Sequence, residues 1–500
     1  MRIPLLAGSR IAVVNAPDDA VILRPPPPSE AVADVEAAVR DALRFPLAGE
    51  PLETIVTPGG TATIVVEHPS LPLPSAVHDP RQKALTAVAH ELERLGVPSE
   101  RQTLLVAGGL ERRAGRRERE RLVSPEFARR FRGRLEVHDA EDPELAEIGS
   151  VGGIPLRVNK ALIETDAVVT VSAAESVLHG GPAALLAAGG SEALREAGGD
   201  SLLETSAAQG WDLALVLERA LGERVQVLGI SLVLDHPRPG GALRGFPHEQ
   251  DAVERVARSP LRSVFRVLPD FVRRQILQSL PIELNTLSAY AGPPSVAHAE
   301  ALLRAIDARS ATLEGKLDAI CVGIPATTPH LPRERPNPLL AAYLGLGLAL
   351  RLWRDQFPLV EGGTAILVHH FHRRFGHGTQ HPYRTFFRAA RDGIEPNRLA
   401  KAEAAAAVDP AAIKAYREGR SCHPVLPFMD WEACAPALER LGAVFVAGCT
   451  DAAAARRLGF VPTHGIGAAL EMAHGRAGRP PRIGFLLSPP YFPLQVTSTT

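Results

Sequence analysis

Two short loops carry side chains that could move protons, and each follows a segment with the composition of a buried strand. Glu111 comes after the strand-like residues 102–107, and His179 comes after the strand-like residues 167–172. An imidazole can act as a general acid or base, and so can a carboxyl group whose pKa is raised by burial. The alternative for Glu111 is a solvated glutamate that pairs with a neighbouring arginine.

A histidine-rich loop offers a second kind of chemistry. Five of the 17 histidines lie within residues 369–381, directly after an apolar segment. On an extended strand end His370 and His372 point to the same side, and with His377 or His381 they could bind zinc, nickel or iron. The alternative is an arginine-flanked loop that hydrogen-bonds an anionic group. The sequence favours the anion, because no C-x-x-C or H-E-x-x-H motif supports a metal.

A third polar loop spans residues 329–337, after the strand-like residues 317–322. Arg333 and Arg335 have planar guanidinium groups whose paired N–H donors suit a carboxylate or a phosphate. Asn337 closes this loop, and we expect all three side chains to contact substrate. The alternative is a surface loop whose charges pair among themselves.

Parallel strands are needed to bring these loops together. Strand-like and helical segments alternate along the chain, which predicts an α/β fold with mostly parallel, helix-covered sheets. Ligands bind at the carboxyl ends of such strands, so the loops should share one cleft. A chain of 500 residues is too long for one core. We predict an N-terminal α/β domain over 1–260, a connecting segment over 261–300 and a C-terminal α/β domain over 301–500.

Composition narrows the expected partners and location. A net charge of −1 gives no basic surface for nucleic acid or an anionic membrane. The longest uncharged apolar passage, 339–350, is too short to span a bilayer and predicts a buried helix. Sparse cysteines without C-x-x-C spacing indicate reduced thiols, and the N-terminus lacks a signal-peptide pattern. We therefore expect a cytoplasmic protein that binds a small anionic molecule, in an oligomeric state that the sequence leaves open.

A series of motifs resembles the nickel-dependent lactate racemase family. Residues 153–166 are similar to that family's passage G-x-P-(hydrophobic)-x-V-N-x-A-L-x-E-x-D. Residues 65–74 resemble its V-V-x-D-x-T-R-P-x-P loop, and residues 137–145 resemble its x-H-D-x-x-D-x-x-L segment. Further pieces follow in the family's order at 361–364, 458–462 and 468–473.

The resemblance implies two α/β domains whose cleft holds a nickel pincer nucleotide made from nicotinic acid. In such a protein a lysine tethers the cofactor, which accepts a hydride from the substrate, while two histidines move the hydroxyl proton. The first histidine position falls on Glu111 here, and the second falls two residues before His179. The resemblance places Gly180 and Gly181 in the cofactor loop, and it matches Asn337 to the asparagine of the family's P-K-D-x-N loop.

The sequence also departs from the family at positions that matter. The carboxylate-gripping arginine of T-R-P is Leu71 here, the aspartate earlier in that loop is His68, and the threonine is Ser70. We expect His68 and Ser70 to contact substrate. The tethering lysine aligns with Ala183, and no lysine lies between residues 160 and 316. These departures predict that a tethered pincer nucleotide is absent.

Three hypotheses about function follow. The first is an isomerase, a racemase or epimerase that acts on a small hydroxy acid or similar anion in the interdomain cleft. The second is a binding or assembly protein of the same fold that has lost its catalytic activity. The third is a metal enzyme that uses the histidine-rich loop, residues 369–381.

Overall fold

The computed structural model describes most of the chain, with interruptions in several loops. Described are residues 1–17, 19–67, 79–325, 337–373, 375, 378–391, 393–488 and 491–498. For residues 117, 118, 121, 261, 262 and 278 it describes the backbone alone.

Strands occur along the whole described chain. They are β1 (Arg2–Gly8), β2 (Arg10–Asn15), β3 (Val21–Leu23), β4 (Ala62–Glu67), β5 (Gln102–Ala107), β6 (Arg134–Val137), β7 (Ala146–Val151), β8 (Ile154–Val158), β9 (Ala167–Ala173), β10 (Gln226–Leu234), β11 (Arg238–Pro239), β12 (Ile282–Glu283), β13 (Thr286–Gly292), β14 (Ala311–Glu314), β15 (Leu317–Pro325), β16 (Trp353–Arg354), β17 (Leu359–Val368), β18 (Leu441–Ala447), β19 (Val461–Thr463), β20 (Ile483–Leu486) and β21 (Leu494–Thr497).

Helices alternate with these strands. They are α1 (Val35–Arg44), α2 (Leu52–Ile55), α3 (Arg81–Arg94), α4 (Arg116–Leu122), α5 (Pro125–Arg130), α6 (Pro182–Leu186), α7 (Ser191–Arg195), α8 (Gln209–Gly222), α9 (Gln250–Arg258), α10 (Leu261–Val267), α11 (Asp270–Gln278), α12 (Pro294–Arg309), α13 (Pro338–Ala342), α14 (His381–Ala389), α15 (Pro396–Ala407), α16 (Pro410–Arg417), α17 (Leu426–Glu432), α18 (Ala435–Arg440), α19 (Ala452–Arg457) and α20 (Ile466–Ala477).

The first large sheet has the strand order β13-β10-β9-β4-β5-β6, and only the β13–β10 pair is antiparallel. Its central strands are apolar because helices cover both faces. Along β4, Ile64 and Val66 pack in a core with α1 and α3, whereas Val65 packs in a core with α6 and α8. The carboxyl ends of β4, β5 and β9 therefore lie side by side at one edge.

The second large sheet has the order β19-β18-β17-β15-β1-β2, with β20 also paired to β15 and β3 paired to β20. All its pairs are parallel except β1 with β2. Together the two sheets confirm the predicted α/β class with mostly parallel strands.

The two sheets exchange strands along the chain, and the division into domains stays a prediction. Strands β1, β2 and β3 come from the N-terminus but belong to the second sheet. Strand β13 lies within the predicted connecting segment, 261–300, yet it pairs with β10 of the first sheet. Pairing between distant segments leaves no local pattern in the sequence, so these exchanges were missed.

The apolar passage at 339–350 is buried, as its composition predicts. It begins in α13, continues as one π-helical segment over Tyr343–Leu348 and ends in a 3-10 turn over Ala349–Arg351. Within the described ranges, none of the helices is both long and apolar enough to cross a membrane.

Candidate functional site

A cavity of about 370 Å³ lies at the carboxyl edge of the first sheet, where it faces helices of the second half of the chain. Both halves of the chain contribute polar side chains to its mostly apolar walls. They include Glu67, Glu111 and His179 from the first half and Tyr343, Arg351 and Asp430 from the second half.

Two of the carboxyl groups reach the cavity from adjacent strands. Glu67 is the last residue of β4 and pairs in register with Ala107, the last residue of β5. The chain then turns at Gly109, whose N–H donates to the carbonyl oxygen of Ala187 at 3.0 Å. This turn brings Glu111, which is half-buried, into the same cavity wall as Glu67.

The carboxyl group of Glu67 keeps its proton at neutral pH. Burial raises its pKa from 4.5 to about 8, and the negative charges of Glu175 and Glu111 add to this effect. Arg81 opposes the shift, but its guanidinium donates to Asp79 at 3.1 Å and to the backbone carbonyl of Glu67 at 2.7 Å. Glu67 is therefore largely protonated at pH 7 and can donate a hydrogen bond.

His179 is held by a loop that helix α12 supports. Its Nδ1 atom lies 2.9 Å from the hydroxyl of Ser176, which fixes the orientation of the ring. The carbonyl oxygen of Ser176 lies 2.9 Å from Nε2 of His298, and Nδ1 of His298 lies 3.0 Å from the hydroxyl of Ser231. Burial lowers the pKa of His298 to about 4, so this histidine stays neutral and serves as a structural support.

Gly180 and Gly181 allow that loop to pack directly on His298. Both have positive φ angles, +87° and +55°. A Cβ atom at Gly180 would lie 2.4 Å from Cε1 of His298, and one at Gly181 would lie 2.3 Å from its Cβ. The glycine pair is therefore required for packing, and its expected contact with a cofactor stays a prediction.

The second half of the chain contributes a buried phenol and a buried carboxyl group. Tyr343 begins the π-helical segment, a feature often found at functional sites. Burial raises the pKa of Tyr343, and the charges of Asp430 and Glu111 act in the same direction. Asp430 accepts a hydrogen bond of 2.8 Å from the hydroxyl of Tyr383. Glu111 and Tyr343, from opposite halves, are thus close enough to interact electrostatically.

The structure brings together some of the predicted site residues. Glu111 and His179 line the cavity, and so does Ala183, where the resemblance places the tethering lysine. Asn337 and His370 are not among its lining residues, nor is His372, which is exposed. The remaining predicted positions, His68, Ser70, Arg333, Arg335 and His377, lie outside the described residues.

Asn337 and His370 are engaged by the backbone around them. The Oδ1 atom of Asn337 accepts from the N–H groups of Leu339 and Leu340 at 2.9 and 3.0 Å, so this side chain caps α13. The Nδ1 atom of His370 lies 2.9 Å from the carbonyl oxygen of Gly448. No group of three or more His, Cys, Asp or Glu side chains in the described ranges could hold a metal ion. Ligand binding by the histidine-rich loop stays a prediction.

Among the cavity residues that sequence reasoning missed, four carry buried polar groups. They are Glu67, Tyr343, Arg351 and Asp430. Glu67 had a usable signal, since it is the one charged residue of an otherwise apolar strand and stands at the strand's carboxyl end. Arg351 directly follows the long apolar passage, which could have marked it as a buried charge.

Residues 8–179 match the family model of the lactate racemase N-terminal domain. This part of the chain is similar to that domain. The whole chain is similar in fold to the lactate racemase apoprotein from Thermoanaerobacterium thermosaccharolyticum, with a TM-score of 0.61, 15% identity and 100% coverage of both chains. A crystal structure of a Thermotoga maritima protein gives a TM-score of 0.49 at 12% identity, covering 92% of this chain and 98% of that one. No curated protein matches the sequence.

The family match over residues 8–179 confirms the resemblance that the motifs indicated. Because that resemblance implies a pincer nucleotide in the cleft, the residues of this cavity can be compared with what such a cofactor needs. Ala183, where the motif resemblance places the tethering lysine, is buried in the cavity wall. No lysine is among the described residues that line the cavity. The described side chains therefore do not fit a lysine-tethered cofactor.

Proposed function

We propose that the protein binds a small hydroxy acid in this cavity and moves a proton on it, as a racemase or epimerase does. The observation that carries the proposal is that Glu111 and His179 line one cavity. In the sequence they stand at and beside the positions of the family's two proton-transfer histidines. The family match and the shared fold support this assignment.

The side chains suit three different tasks in proton transfer. The ring of His179 is oriented by the Ser176 hydroxyl at 2.9 Å, which suits it to exchange a proton with the ligand. Glu111, on the loop after β5, is suited to remove the proton from the ligand's α-carbon, with the electron pair of the broken C–H bond held in the enediolate form of the carboxylate until a proton is returned to the opposite face. Glu67 retains its proton at neutral pH and is suited to return one.

The test is isomerisation of single enantiomers by the purified protein. D-lactate, L-lactate and longer 2-hydroxy acids are incubated separately in D2O, and the products are followed by chiral chromatography and NMR. We expect interconversion by the wild-type protein and a rate at least about 100-fold lower in Glu111→Gln and His179→Gln, the usual contribution of a general acid or base.

Two exposed residues outside the cavity provide matched controls. Glu50→Gln and His474→Gln make the same chemical changes on the surface and should leave the rate unchanged. If the wild-type protein binds hydroxy acids but converts none of them, the catalytic proposal fails and the binding-protein hypothesis replaces it. If the Glu111→Gln and His179→Gln rates match that of the wild type, the proton carriers are other residues.

A further inference from the structure

Arg351 is a buried guanidinium in the cavity wall that forms no ion pair with the described carboxylates. Only 4% of the residue is exposed. One Nη atom donates to the carbonyl oxygen of Gly347 at 3.2 Å, and the other donates to the carbonyl oxygen of Gly199. Its Nε atom is buried without a hydrogen-bond partner in the described ranges. Asp200 acts on it from a distance but is paired with Arg440 at 3.1 Å.

This arrangement is costly unless something else supplies a negative charge. A buried cation without a counter-ion loses its hydration and gains little in return, so buried charges in proteins are normally paired. The carbonyl oxygens that Arg351 contacts offer partial charges only. Burial accordingly lowers the pKa of Arg351. The protein retains a charge at this position that its own described side chains do not neutralise.

Hydrogen bonds hold both the backbone and the guanidinium of Arg351, which suits a side chain that binds a ligand. The carbonyl oxygen of Arg351 accepts from the N–H of Leu202 at 2.8 Å, and its guanidinium contacts Gly199 in the same loop. This loop belongs to the first half of the chain, so Arg351 is held across the junction of the two halves. Glu111 and His179 line the same cavity.

The other charged side chains described below are paired, neutral or at the rim of the cavity, so they do not take the place of an anion at Arg351. The other arginine of the cavity, Arg195, already donates to Glu403 at 2.8 Å. Glu67 is largely uncharged at neutral pH because burial raises its pKa to about 8. The carboxylate of Asp430 is bound by the Tyr383 hydroxyl. Further acidic residues, among them Glu432 and Glu439, are exposed at the cavity's rim.

We propose that Arg351 binds the carboxylate of the cavity's ligand through its Nε and Nη donors. This inference names the residue that holds the acid group of the ligand and rests on the cavity of the proposed function. It does not require that turnover occurs. A planar guanidinium matches a carboxylate with two parallel hydrogen bonds, so the ligand's acid group would face the second half of the chain.

The test compares ligands that differ in the carboxylate alone. Calorimetric titration and thermal shift are measured with L-lactate and with 1,2-propanediol, in which a CH2OH group replaces the carboxylate. We expect the wild-type protein to bind lactate and not propanediol. We expect Arg351→Gln to bind lactate about tenfold to 100-fold more weakly, the usual loss for a charge-assisted hydrogen bond. Arg351→Lys should be intermediate, because it keeps the charge but not the fork.

Arg309 provides a matched control for the loss of a buried guanidinium. It is also 4% exposed and donates to the carbonyl oxygens of Ala305, four residues earlier, and Ala174. It does not line the cavity, so Arg309→Gln should lose stability but keep its lactate affinity. If Arg351→Gln does not fold, the lactate affinity of Arg351→Lys tests the proposal. Unchanged lactate binding in a folded Arg351 variant, or equal binding of propanediol, overturns the proposal.

Further outcomes separate this inference from the proposed function. Lactate binding that depends on Arg351, without isomerisation, supports the anion site and contradicts the catalytic proposal. Stronger binding of inorganic phosphate than of lactate, lost in Arg351→Gln, overturns the assignment of a carboxylate. A wild-type protein that binds no hydroxy acid and no phosphate also overturns it.

Discussion

Nε2 of His298 lies 2.9 Å from the carbonyl oxygen of Ser176, and this hydrogen bond joins α12 to the loop that carries His179. Helix α12 comes from the segment that the sequence marked as a connection between domains. It packs on β10 and supports the site from behind, although none of its residues lines the cavity. The orientation of His179 therefore depends on a helix that follows it by more than a hundred residues.

Replacing Gly181 should disrupt this support. In Gly181→Ala the new Cβ would lie 2.3 Å from the Cβ of His298, and the φ of +55° would be strained as well. We expect a loss of about 3 kcal/mol in the free energy of unfolding, measured with urea. Gly59 has a φ of +78° and no atom within 4 Å of its Cβ position, so Gly59→Ala tests the strain alone. An equal loss in both variants would show that His298 moves away from the new Cβ atom at little cost in free energy.

The loops at the ends of β5 and β9 could be predicted from the sequence for a simple physical reason. Parallel strands bring their carboxyl ends to one edge, so Glu111 and His179 had to come close once their strands were recognised. Arg351 and Asp430 could not be found in this way. They lie in helical segments, and their approach to the cavity depends on how the two halves pack, which no local pattern records.

The same limit explains the exchange of strands between the sheets. The apolar pattern of β1 fits a strand of either sheet, and only its pairing with β15 decides between them. Asn337 illustrates a different limit. An asparagine before Pro338 suits a helix cap as well as it suits a ligand, and the structure shows the cap.

Substitutions at Asn337 can separate these two roles. Asn337→Ala removes the acceptor that caps α13 and should cost about 1 kcal/mol of stability in denaturant unfolding. Asn337→Asp keeps the acceptor and should stay near wild-type stability. The Nδ2 atom is buried without a partner in the described part of the chain, so a ligand contact would use this atom. Weaker lactate binding by a stable Asn337→Asp variant would support that contact, and unchanged binding would leave only the cap.

Intact-mass spectrometry tests the prediction about the tethered cofactor. The chain should have the mass of its sequence, 53.4 kDa, because Ala183 offers no amine for attachment. The chain has five lysines that could carry a cofactor instead: Lys83, Lys160, Lys316, Lys401 and Lys414. A mass increment of nucleotide size that disappears when one of these lysines is replaced would contradict the prediction.

The raised pKa of Glu67 makes stability depend on pH in a defined direction. The folded protein holds the Glu67 proton up to about pH 8, whereas the unfolded chain releases it near pH 4.5. The stability that this proton confers is therefore fully present below pH 4.5 and is lost as the pH rises to about 8. Glu67→Gln keeps a neutral side chain of similar shape and lacks this dependence. Its stability relative to the wild type should rise by at most about 1.4 kcal/mol per pH unit across this interval.

Urea unfolding of both proteins at several pH values measures this difference directly. Effects of other titrating groups are common to both proteins, so they cancel when the Glu67→Gln and wild-type stabilities are subtracted. Glu50→Gln controls for removal of a carboxyl group, because Glu50 is exposed and distant from the cavity. A constant gap between Glu67→Gln and the wild type throughout the interval would mean that Glu67 is ionised in the folded protein. In that case Glu67 could not serve as the proton donor at neutral pH, and His179 would be the remaining acid of the first half.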